Sequence, residues 1–264
     1  MAAGHSPLAQ FEVHPIYELP TMYGVDTSIT NSALFMILSV VAVLAFFGLA
    51  MRKKALVPGR LQGMAELVYE FVHNVTAENA GKAGLKYFPF MFTLFLFILT
   101  INLLGMIPYS FTPTSHIIVT LGLGAMVFSF VVLVGLIKQG PIGFFAHFLP
   151  KGVPVLILPL LFVIEMISFL SRPFSLGIRL AANIGAGHTL MKVIAGFVVP
   201  MGIFGVLPIA FNLFMTGLEI FVAVLQAYVF TLLSCLYLGE ALAEHHHDEH
   251  GHANHTDEEV HLPI

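Results

Sequence analysis

Five apolar runs dominate this chain, and each is long enough to cross a lipid bilayer. They occupy about residues 32–51, 88–107, 116–137, 155–200 and 201–238. A spanning α-helix needs about 20 apolar residues at about 1.5 Å of rise each. The first three runs fit one span apiece. The last two are longer, so each either breaks into two spans or forms one long inclined helix. Pro173 lies in the fourth run, but no polar loop follows it. Two long, strongly tilted helices joined around 200–208 are therefore expected. The expected fold is an all-α membrane protein of about five transmembrane helices with one further amphipathic helix.

Charge content agrees. Only 10% of the residues are charged and 58% are hydrophobic, against about 25% charged in soluble domains. Too few charges remain to cover a water-facing surface, which excludes a soluble enzyme. All eleven Lys and Arg lie between Arg52 and Lys192, and no basic patch suits nucleic acid. The single cysteine, Cys235, excludes an internal disulfide. The first thirty residues carry Glu12, Glu18 and Asp26 and lack the layout of a signal or transit peptide.

Loop charges set an orientation. Arg52, Lys53, Lys54 and Arg60 follow the first span, and Lys138 and Lys151 follow the third. The loop at 108–115 and the turn at 200–208 have no Lys or Arg. Positive loops face the cytoplasmic side, so the N-terminus is expected outside and the C-terminus inside.

Between the first two spans, Leu61, Met64, Leu67, Val68, Phe71, Val72 and Val75 recur at helical spacing. This predicts an amphipathic helix on the inner surface. The segment 140–150 is a shorter interfacial candidate. Residues 1–240 read as one integral membrane domain, and 241–264 as a His- and acid-rich disordered tail. Its histidines have no fixed ligand spacing, so a solvated tail is preferred to a metal site.

An ionisable group at membrane depth costs roughly 2.5–3.5 kcal/mol on insertion scales and marks a functional candidate. The first three runs hold almost none. In the fourth, Glu165, Ser168, Arg172, Ser175, Arg179 and Asn183 fall within about a third of the helix circumference at 100° per residue. They form one polar stripe, and His188 lies off it. Glu219 and Gln226 share a face of the fifth run, and the two faces of these antiparallel helices could meet. Ser and Thr in such helices usually bond their own backbone, and Asn212 suits helix–helix contact. Glu165 and Arg172 also fit a plain intrahelical pair. Arg179 is harder to explain structurally. Its guanidinium cannot lose its proton, and no acid stands three or four residues away.

The segment RPFSLGIRLAANIGAGHTLMKVIAGF (172–197) resembles the signature of subunit a of F-type ATP synthases. LEIFVAVLQAYVFTLLSCLYL (218–238) resembles that family's last helix, and INLLGMIPYSFTPTSHIIVT (101–120) the motif between its second and third spans. The resemblance implies a non-catalytic stator subunit with two offset half-channels. Its implied partners are a ring of c subunits, the peripheral-stalk b subunits, the other synthase subunits and lipid. It implies that Arg179 is the essential arginine, and that Asn183, His188, Glu219 and Gln226 line the outer route. It places Glu165 and Ser175 at the inner route. His188 and Glu219 stand exchanged relative to some bacterial members. Gly105 replaces an acid found in others and is assigned no proton role. No cofactor or metal is implied. The alternative is a stand-alone secondary transporter or ion channel, although no internal repeat is visible. An intramembrane protease lacks any HExxH or paired Ser/His arrangement. Proton versus sodium coupling depends largely on the ring.

Overall fold

A computed structural model describes residues 12–17, 28–52, 58–107, 110–147 and 157–242. Six helices carry it: α1 (Asn31–Ala50), α2 (Arg60–Gly84), α3 (Phe88–Gly105), α4 (Ile117–His147), α5 (Leu158–Gly196) and α6 (Val206–Leu242). Five helical stretches are long and apolar enough to cross a membrane, with α2 and α3 falling in one of them. The chain is a multi-pass membrane protein. One feature was not expected. Two short antiparallel strands, β1 (Pro15–Tyr17) and β2 (Ile29–Thr30), fold the N-terminal segment back onto the start of α1.

The long runs do not break. α5 has 39 residues and α6 has 37, about 58 and 55 Å at 1.5 Å per residue. Either is nearly twice the thickness of a bilayer core of about 30 Å, so each must lie inclined. A turn and a short 3-10 segment (Gly202–Gly205) join them. Pro208 sits in the first turn of α6, where its missing N–H costs no helical bond. α6 continues to Leu242, past the expected boundary at 240, and the tail beyond it lies outside the described residues.

The predicted amphipathic helix is α2. Val72, Val75 and Ala80 are buried, whereas Leu61, Met64 and Leu67 stay exposed. One face thus packs on the protein and a second apolar face is left for lipid. Phe71 meets Tyr228, and Thr76 Oγ1 lies 3.7 Å from Cys235 Sγ. α2 therefore runs alongside the second half of α6 in the same direction. Gly140 takes φ +71°, a left-handed conformation open to glycine, and Pro141 follows it. This turn swings 141–147 away from the axis of α4, so the helical part of the 140–150 segment extends α4 through a kink. Residues 148–150 lie outside the described residues.

Packing rather than hydrophobic exclusion drives helix association in lipid. Phe90 stacks on Phe130 at 3.9 Å between centroids, and Met91, Ile98, Leu180 and Phe230 are fully buried. At Gly177 a Cβ would come within 2.8 Å of the Thr120 carbonyl oxygen, so α4 and α5 touch backbone to backbone.

Candidate functional site

Contacts between α5 and α6 run in opposite directions along the two helices. Arg172 bonds Glu240, Asn183 Nδ2 donates to Gln226 Oε1 at 3.2 Å, and His188 Nε2 lies 3.5 Å from Glu219 Oε1. Farther along, Asn212 Nδ2 donates to the Met191 carbonyl at 3.1 Å. The helices are antiparallel, but the predicted faces meet only where Asn183 touches Gln226, and Glu219 is met by His188 from off the stripe. Asn212 joins helices, as expected. Several hydroxyls bond their own backbone: Thr189 to Gly185, Thr216 to Asn212 and Ser234 to Phe230.

At the end where α5 turns into α6, a cavity of about 890 Å3 opens. Glu12, His14 and Asn31 stand on one side, and His188, Lys192, Asn212 and Thr216 on the other. Asn31 ties the N-terminal segment in place. Its Oδ1 accepts from the His14 amide at 3.3 Å, and its Nδ2 donates to the Glu12 carbonyl at 3.1 Å. Gly105 and Thr112 also line the cavity. A Cβ on Gly105 would come within 2.5 Å of Thr112, so glycine there lets Thr112 reach inward. Thr112 Oγ1 then lies 3.3 Å from His188 Nε2.

His188 lines the cavity and Glu219 does not. The His188 side chain is 13% exposed and that of Glu219 only 4%. The ring thus stands between open space and a buried carboxyl. Gly187 makes room for that carboxyl, since a Cβ there would lie 2.8 Å from Glu219 Oε1. Among the described residues neither Glu219 oxygen receives a hydrogen bond, and Gln226 Nε2 donates none. An imidazole beside an otherwise unbonded carboxyl can pass a proton between them.

The polar stripe of α5 behaves differently. Glu165, Ser168, Ser175, Arg179 and Asn183 are all exposed on the surface of this chain. Of the stripe, Asn183 and Arg172 reach α6, through Gln226 and Glu240. Arg179 lies midway along α5 and makes no hydrogen bond or ion pair among the described residues. Ser175 likewise shows no hydrogen bond there. Arg172 lies 4.0 Å from Glu165, as an intrahelical pair would, and also bonds Glu240 at the end of α6. Its guanidinium carbon stands 5.2 Å from the centre of the Tyr237 ring.

The site residues therefore fall into two separate clusters with Arg179 between them. His188, Glu219, Asn183 and Gln226 lie toward the large cavity. Glu165 and Arg172 lie toward the other end, with Ser175 one turn from Arg179. Sequence reasoning missed Thr112, Tyr237 and Glu240. Thr112 lay inside a recognised motif, but Glu240 carried no signal, because it stands where the helix gives way to an acidic tail.

The family model described as ATP synthase A chain matches residues 33–239. ATP synthase subunit a of Rhodospirillum rubrum is 50% identical over 242 residues, which is 91% of this chain and 100% of the relative. Subunit a of Pelagibacter ubique is 49% identical over 242 residues, 91% of this chain and 99% of the relative. That of Wolbachia sp. subsp. Brugia malayi is 48% identical over 238 residues, 90% and 98% respectively.

Proposed function

Because this chain belongs to the ATP synthase A chain family and is a membrane-sector subunit of an ATP synthase, we propose that it supplies two offset half-channels to a ring of carboxyl-bearing subunits. The outer route enters the large cavity and passes His188 to Glu219, with Asn183 and Gln226 beyond. The inner route leaves by Ser175 and Glu165. A proton arriving from outside neutralises a ring carboxylate, which then faces lipid without a bare charge. The ring turns, and each carboxyl releases its proton at the inner route. Rotation drives ATP synthesis in other subunits, and this chain is non-catalytic.

The observation that carries this reading is the placement of Arg179. It is a permanent cation midway along an apolar helix, exposed, and unpaired among the described residues. Such a charge needs an anion from a partner. A ring carboxylate fits, and Coulomb attraction to Arg179 favours its ionised form. Since the guanidinium cannot relay a proton, it also separates the two routes. Peripheral-stalk b subunits and the remaining synthase subunits are further partners in this reading.

The test is reconstitution. The chain should co-purify with the ring, and vesicles that also carry the remaining synthase subunits should acidify on ATP addition only when both are present. Proton-gradient-driven transport by the isolated chain would instead favour a stand-alone transporter.

Orientation follows from the charged loops, with a bacterial plasma membrane as the first choice of location and a mitochondrial inner membrane as the second. A cysteine placed at Ser28 should label from outside only, and one at Asn254 from inside only. Cys235 is fully buried and should stay silent. Reversed labelling would overturn the orientation.

A further inference from the structure

Away from the large cavity, side chains distant in sequence meet at the end of α6. Arg172 of α5 bonds the Glu240 carboxylate of α6 and lies 4.0 Å from Glu165. The ring of Tyr237 lies beside the same guanidinium. Gln139 of α4 donates to the Ala241 carbonyl at 2.8 Å, which holds this end of α6 in place. A cavity of about 30 Å3 lies among Glu165, Arg172, Tyr237 and Glu240, with Phe144 and Phe169 also lining it. That is room for a water or two, and polar partners surround it. Both carboxyls are half exposed, at 50% for Glu165 and 49% for Glu240.

We propose that Glu240 is a second proton-transfer group of the inner route, acting with Glu165 across the shared Arg172. The inference rests on the half-channel reading above. Two carboxylates and one guanidinium give the cluster a net charge of −1. A proton arriving from the ring forms an O–H bond on one carboxyl while the other stays paired with Arg172, so the charge rises only to zero. Loss of that proton to water restores the starting state. Arg172 sits seven residues, about 10.5 Å, from Arg179 along the same helix, which places the cluster on the path away from the ring contact. It anchors both carboxyls and carries no proton itself.

Among the described residues the charged and titratable surroundings are few. α5 supplies Glu165 and Arg172, and α6 supplies Tyr237. On α4, Lys138 adjoins Gln139 but forms no ion pair with Glu240. α2 packs the backbone of Asn79 against Gly239, and its nearby Glu78 and Lys82 form no ion pair with Glu240 either. α3 carries no charged residue.

Glu240→Gln and Glu240→Asp separate proton transfer from anchoring. Glutamine still accepts a hydrogen bond from Arg172 but does not titrate, whereas aspartate titrates. Rates are measured in inverted vesicles carrying the whole complex, as ATP-driven proton uptake per assembled complex against the pH of the inner-side medium. Glu240→Gln should slow uptake roughly tenfold and change the inner-side pH profile, with the outer-side profile unaltered. Glu240→Asp should retain most of the rate. A wild-type rate and profile in Glu240→Gln would overturn the proposal. So would equal losses in both variants with an unchanged profile, which would mark a mere anchor. Arg179→Ala serves as the control. If it stays coupled, the half-channel reading itself fails. If it uncouples while Glu240→Gln behaves as wild type, only the role of Glu240 falls.

Discussion

Vesicles carrying the complex with Arg179→Ala are expected to lose ATP synthesis and to become passively permeable to protons. The exposed guanidinium stands between two polar clusters that no hydrogen bond or ion pair joins among the described residues. A like charge about 4 Å from it is repelled by about 4 kcal/mol at an effective dielectric of about 20. That repulsion opposes a crossing proton by roughly a thousandfold. Alanine removes both this barrier and the attraction that favours release from the ring. The leak should therefore rise by about ten- to a thousandfold while synthesis disappears. Arg179→Lys keeps a charge but not the planar fork, so it should also fail at coupling while leaking less. Passive proton permeability, measured with the ring present, decides the matter. Tight Arg179→Ala vesicles without synthesis would show that the residue is no barrier.

Gly187→Ala should slow proton transport by about ten- to a hundredfold without opening a leak. Its new Cβ would lie 2.8 Å from Glu219 Oε1, the far end of a flexible side chain. The carboxyl can move aside at little cost to folding, but it must leave its place 3.5 Å from the His188 ring. Glu219→Gln should slow transport similarly by removing the proton carrier in place, again without leak because Arg179 is untouched. Comparing the two variants for proton-driven synthesis and for passive permeability tests the arrangement. Normal synthesis in Gly187→Ala would show that the His188–Glu219 contact does not limit the outer route.

Much of this molecule is legible in its sequence. Apolar run length determines where a chain can span lipid, because unpaired backbone groups are intolerable there. It yielded the spans and the two long helices α5 and α6. Helical periodicity is equally local. The 100° step alone placed Glu165, Arg172, Arg179 and Asn183 on one stripe and His188 off it, and put Glu219 and Gln226 on a common face. The strands β1 and β2 were not legible, since three- and two-residue elements carry no periodicity.

Only the tertiary structure decided how the two long helices are rotated and offset against each other. That offset is marked by the close contact of Gly187 with Glu219, while Gly177 against Thr120 sets α5 on α4. It matches His188 with Glu219 and Asn183 with Gln226, and it leaves Arg179 outward and unpaired among the described residues. Bundle packing also brings Thr112, from the connection before α4, to His188, and Glu240 to Arg172, partners separated by 76 and 68 residues. A stripe on one helix follows from the geometry of a single backbone. A pairing between helices depends on which surfaces approach, and that depends on packing the whole bundle.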